Sequence, residues 1–114
     1  MKQLISIIAI ILLAITSAQA KGDIKTDTFS VDGNCDMCKK RIENAAYIKG
    51  VKRADWNKAD HKIVVVYNSA KTNVEAIQQS IAKAGHNTSR YEAKEADYEK
   101  LPKCCHYKTE ECHH

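Results

Sequence analysis

Residues 33–50 read G-N-C-D-M-C-K-K-R-I-E-N-A-A-Y-I-K-G. Asp32-Gly33-Asn34 is turn chemistry. Beyond it, Cys38, Ile42 and Ala45 recur at spacings of four and three, which places them on one helical face. The spacing predicts a helix from Asp36 to Tyr47, capped by Asn34 or Asp36 and stopped at Gly50. Upstream, Ile24 to Val31 alternates loosely and is rich in β-branched residues, as a strand would be. Downstream, Val51 to Trp56 reads as a second strand with imperfect alternation. Asn57 to His61 is turn-like, and Lys62 to Tyr67 (K-I-V-V-V-Y) is the strongest strand signal. Thr72-Asn73-Val74-Glu75 has the form of a capping box, followed by an apolar stripe of Val74, Ile77, Ile81 and Ala84 that Gly85 closes. Asn87 to Tyr91 supplies a short fourth strand. The order β-α-β-β-α-β predicts an α+β split βαβ sandwich, a four-stranded antiparallel sheet with both helices on one face.

The flanks differ from this unit. Lys2 precedes an apolar run from Leu4 to Ile15, interrupted by Ser6, and Ala18-Gln19-Ala20 has the small-x-small pattern of a cleavage site. Residues 1–20 are expected to be a signal peptide, with Lys21 as the mature start. The run is shorter than the roughly 20 apolar residues a spanning helix needs, so no membrane span is expected after cleavage. The expected location is periplasmic or secreted. Residues 21–91 form one small domain, and residues 92–114 a charged short helix, from about Glu92 to Leu101, with a Cys/His-rich tail after Pro102. Without Lys2 the remainder carries 17 basic and 14 acidic side chains, too mild a balance to imply nucleic acid. No Ser–His–Asp or paired-carboxylate arrangement is evident, and an enzyme is not expected.

All five cysteines (35, 38, 104, 105 and 112) lie in the exported part. An odd number cannot pair fully within one chain. Cys35-Asp36-Met37-Cys38 falls where the first strand feeds the first helix. A metal–sulfur bond of about 2.3 Å lets two such sulfurs grip a near-linear ion, and two thiolates suit a soft ion that accepts low coordination, Cu(I) above all. The helix N-terminus should lower the thiol pKa, and Lys39, Lys40 and Arg41 should offset the charge of a Cu(I) bis-thiolate. A structural disulfide and a thioredoxin-type redox pair are rival readings of the same spacing. Haem attachment is excluded, because Lys39 stands where a histidine is required.

The stretch Gly33-Asn34-Cys35-Asp36-Met37-Cys38-Lys39-Lys40-Arg41-Ile42-Glu43 resembles the metal loop and first helix of the heavy-metal-associated domain family. Gly50-Val51, Val64-Val65-Val66-Tyr67-Asn68 and Ile81-Ala82-Lys83-Ala84-Gly85-His86 fit its later landmarks in order. The resemblance covers Ile24 to Tyr91. It implies a ferredoxin-like fold, a role as a metal chaperone, periplasmic mercury-binding protein or ATPase module, and Cys35 and Cys38 as metal ligands. The family usually has a methionine two residues before the first cysteine. Gly33 stands there, with Met37 as the candidate to compensate. His86 occupies the loop where some copper chaperones of the family carry a ligand histidine.

Cys104-Cys105-His106 and Cys112-His113-His114 gather six soft or borderline ligands. A second metal site, a site shared with Cys35 and Cys38, a disulfide and a disordered tail are all open from the sequence. His61 is expected at the surface. The basic residues Lys39, Lys40, Arg41, Lys49, Lys52 and Arg53 form a solvated face or a docking patch for an acidic metal acceptor. The expected function is Cu(I) binding and transfer by thiolate exchange, with mercury, zinc or cadmium as alternative ions. The expected partner is a metal-transporting ATPase or another envelope acceptor. A small thiol–disulfide oxidoreductase is the rival enzymatic reading.

Overall fold

The computed structural model describes residues 22–109. The expected signal peptide, together with Cys112, His113 and His114, lies outside the described residues. Among those described, no helix is long and apolar enough to cross a membrane.

Period-two patterning builds a sheet from β1 (Ile24–Ser30), β2 (Val51–Asn57) and β3 (Lys62–Asn68). Both outer strands pair antiparallel with β3, in the order β1-β3-β2. Ile63, Val65 and Tyr67 of β3 point into the core with Ala54 and Trp56 of β2, while Lys62 and Val64 face water. A register shift between Val51 and Arg53 accounts for the imperfect alternation of β2.

The apolar faces of helices α1 (Asp36–Ala46) and α2 (Val74–Lys83) close over this core. Helix α1 buries Cys38, Ile42 and Ala46, and α2 buries Ile77, Gln78, Ile81 and Ala82. The Ser80 hydroxyl donates to the Ala45 carbonyl at 2.6 Å and ties the two helices together. Two cap assignments change. The N-cap of α2 is Asn73, whose Oδ1 accepts from Ala76 N at 2.8 Å, so the Thr72–Glu75 box is not formed. Glu75 instead pairs with Arg90. Cys35 is the N-cap of α1, and it makes no side-chain cap bond.

The fourth strand is reduced to a single bridge, Val31 to Thr88. Side chains take the donors that a longer ladder would need. Gln78 Oε1 accepts from Arg90 N, and Thr88 Oγ1 from Tyr91 N. The chain then turns back over the domain through α3 (Glu95–Glu99) and a 3-10 turn, Lys103–Cys105. This segment is only in part the solvated helix expected: Glu95, Ala96 and Glu99 are exposed, but Tyr98, Leu101 and Cys105 join the same core. Gly85, at φ +105°, makes room for it, since a Cβ there would lie 2.8 Å from Asp97 O and 2.9 Å from Leu101 Cγ. Tyr107 fastens the far end, with its hydroxyl donating to Gly85 O and accepting from Asn87 N.

His86 sits fully buried beneath this seam. Burial lowers its pKa from 6.5 to about 4, against the opposing hydrogen bond from Nδ1–H to Asp32 O. A depressed imidazole pKa means that the unfolded chain takes up the proton first. Its contribution is therefore complete above pH 6.5 and is lost as pH falls toward about 4. Denaturant titrations of wild type and His86→Gln at pH 7 and 4.5 should differ accordingly. The stability difference between them is expected to shift by about 2 kcal/mol against wild type at the lower pH. A pH-independent difference would contradict this account of His86.

Candidate metal centre

Cys35 reaches the site from the residue capping α1, where extended backbone (φ −153°, ψ 172°) turns into helix. Cys38 follows within the first helical turn. Their Sγ atoms lie 3.2 Å apart. A third sulfur arrives from the other end of the chain: Cys105 Sγ is 3.7 Å from Cys35 Sγ. All three residues are buried, and the three sulfurs lie within 4.8 Å of one another. Three sulfurs bound at about 2.3 Å around one ion would be about 4 Å apart, so sub-ångström shifts would seat a trigonal ion. Among the described residues this is the one such group of three cysteine, histidine or acidic side chains.

The thiols hold one another and the backbone. Cys35 Sγ donates to Cys104 O at 3.3 Å, and Cys38 Sγ to Asn34 Oδ1 at 3.1 Å. Burial raises the Cys38 pKa above its ordinary value, and raises that of Cys105 strongly, with the neighbouring thiols adding to the rise. The expected lowering by the helix N-terminus is thus overcome. The expected cationic offset also changes. Lys39 is engaged by Glu43, Asp55 and the Trp56 carbonyl, and Arg41 by the Ala84 carbonyl. A soft cation entering the cluster would replace thiol protons rather than find preformed thiolates.

Gly33 is explained by its neighbours. A Cβ there would lie 3.0 Å from Trp56 Cζ2 and 3.1 Å from Cys38 Cβ. The indole, anchored by Nε1–H to Val31 O at 3.0 Å, fills the space beneath the loop. Met37 does not compensate for the absent methionine, because it points outward and is 48% exposed.

The remaining candidates divide. Cys104 Sγ lies 4.0 Å from Cys105 Sγ, beside the cluster and partly exposed. His86 is outside the three-sulfur group, with Nδ1 bonded to Asp32 O and its ring stacked on Tyr107. His106 is also outside it, since its Nε2–H donates to Leu101 O and its ring stacks on Tyr98. His61 is exposed as expected, lying over Trp56. Sequence spacing gave no sign that Cys105, rather than its neighbours, would join Cys35 and Cys38. The available signal was apolar: Tyr98 and Leu101 precede it in phase to dock the segment.

The model of the heavy-metal-associated domain matches residues 19–87. Among solved structures, the chain is similar to a CopZ metallochaperone, at 29% identity over 56% of this chain and 98% of that one, with a TM-score of 0.54. It is similar to oxidized MerP from Ralstonia metallidurans CH34, at 30% identity over 59% and 96%, with a TM-score of 0.56. It also matches the N-terminal domain of a potential copper-translocating P-type ATPase from Bacillus subtilis in the Cu(I)-loaded state. That match has 28% identity over 58% and 85%, with a TM-score of 0.55. No curated protein sequence matches the chain. Cys104 and Cys105 lie beyond the matched family region.

Burial and raised pKa both slow thiol alkylation, because the thiolate is the nucleophile. In reduced, metal-free protein at pH 7.5, iodoacetamide should label Cys104 before Cys35, Cys38 and Cys105. Peptide mass spectrometry over time would read the order. Equal rates at positions 38 and 104 would contradict the packing described.

Proposed function

The chain belongs to the heavy-metal-associated domain family, and on that premise we propose that it binds Cu(I) and passes it to a thiolate-bearing acceptor. The observation that carries this reading is the cluster of Cys35, Cys38 and Cys105 sulfurs at the N-terminus of α1. Three thiols on adaptable side chains suit a soft monovalent ion that accepts two or three ligands. They leave Zn(II) one ligand short of a tetrahedron, unless Cys104 turns inward.

Cys35 and Cys38 are the core ligands and Cys105 completes a trigonal set. Each thiol gives up a proton as its sulfur bonds the ion, so binding tightens as pH rises. Transfer proceeds by ligand exchange: an incoming thiolate bonds the ion while one of the three sulfurs leaves. No catalytic base takes part, and no residue is assigned an enzymatic role. The similarity to a Cu(I)-loaded P-type ATPase domain supports a metal-transporting ATPase as acceptor. Hg(II), a soft ion that thiolates also suit, is a second reading of the same site, with detoxification as its purpose. The N-terminal leader pattern supports work outside the cytoplasm, in the periplasm or beyond.

Anaerobic Cu(I) titration of the reduced chain against a competing chelator tests this. The Cys35→Ser/Cys38→Ser variant should bind at least about a hundredfold more weakly, equal to roughly 2.8 kcal/mol. The Cys105→Ser variant should bind about tenfold more weakly, or roughly 1.4 kcal/mol. Unchanged affinity and stoichiometry in the double variant would remove the proposal.

A further inference from the structure

The sulfurs of the site are graded from water to core. Met37 is 48% exposed, Cys104 is half-buried, and Cys105, Cys35 and Cys38 are 0%, 4% and 0% exposed. The steps between them are short. Met37 Sδ is 3.5 Å from Cys104 Sγ, Cys104 Sγ is 4.0 Å from Cys105 Sγ, and Cys105 Sγ is 3.7 Å from Cys35 Sγ. The Cys104 carbonyl lies over Cys35, accepting its thiol hydrogen bond. Cys104 Sγ thus lies between the exposed thioether of Met37 and the buried thiol of Cys105.

We propose that Met37 Sδ and Cys104 Sγ form an outer site for a soft monovalent cation, through which the ion enters the three-sulfur centre. This rests on the reading of that centre as a metal site. The chemistry of the pair fits a station on the way in. A thioether is a neutral soft ligand with no proton to displace, so it captures such an ion readily and holds it weakly. Cys104 loses its proton to water as its sulfur bonds the ion. Cys105 Sγ then bonds the ion as Met37 Sδ leaves, with its proton also passing to solvent. Cys35 and Cys38 follow in the same way, and Cys104 is released and reprotonated. The ion keeps its oxidation state and no electrons are transferred. Cys105, Cys35 and Cys38 enter in turn while Met37 and Cys104 leave, so two steps are exchanges, one is an addition, and the ion is never stripped of ligands. The gradient favours inward movement, because thioether is replaced by thiolate.

The outward position of Met37 then has a use. Trp56 already fills the space beneath the loop, so the methionine is not needed for packing there. It lies instead against the first thiol of the returning segment.

The test uses Ag(I), a redox-inert soft monovalent ion, delivered to the full reduced chain from a chelator and followed by stopped-flow. Met37→Leu and Cys104→Ser are expected to load about tenfold more slowly or worse, because the ion loses its intramolecular hand-over. Their first-equivalent affinity should stay within about twofold of wild type, which separates entry from final binding. Circular dichroism controls for folding, and Met37→Leu changes only an exposed side chain. Wild-type loading rates in both variants would overturn the proposal. The parent reading fails differently, by the wild-type chain showing no tight first equivalent or by the Cys35→Ser/Cys38→Ser variant retaining it.

Discussion

The candidate metal centre depends on the approach of Cys105 to the Cys35–Cys38 pair. Residues seventy positions apart in sequence place their sulfurs 3.7 Å apart only because the C-terminal segment docks on the Gly85 turn. Tyr98 and Leu101 bury apolar surface in the domain core, and Tyr107 bonds the same turn. Burying such side chains contributes about 1.5–3 kcal/mol each. The thiols are thus gathered by packing that has nothing to do with metal. Burial makes the charged forms of Cys38 and Cys105 costly, and the neighbouring thiols add to the cost at Cys105.

This arrangement differs from a bare two-cysteine loop. The family match ends at residue 87, before the segment that supplies the third sulfur. The domain provides a rigid strand–turn–helix on which two sulfurs sit. The added segment brings a third sulfur beside the pair.

Much of the fold was legible because periodicity and turn chemistry are local. The buried alternation of β3 and the Cys38–Ile42 face of α1 follow from spacing, whereas α1 ends at Ala46 with Tyr47 as its C-cap, three residues before Gly50. The reduction of the fourth strand to one bridge was not legible, since Arg90 N is captured by Gln78 of α2, which the fold brings into reach, and Tyr91 N by the nearby Thr88 hydroxyl. The α2 cap moved by one residue because Asn73 competes with Thr72 for the same role. At the site, Cys35 and Cys38 stood out through their place at a helix entrance. The partnership with Cys105 depends on the chain folding back, which no local pattern encodes. His86 and His106 carried the right chemistry, but each spends a ring nitrogen on a backbone carbonyl.

X-ray absorption at the copper edge of the Cu(I)-loaded chain addresses the three-sulfur centre most directly. The account predicts three sulfur neighbours at about 2.3 Å, falling to two in Cys105→Ser. Nitrogen or oxygen neighbours, or a sulfur shell unaltered by loss of either Cys35 or Cys105, would contradict it.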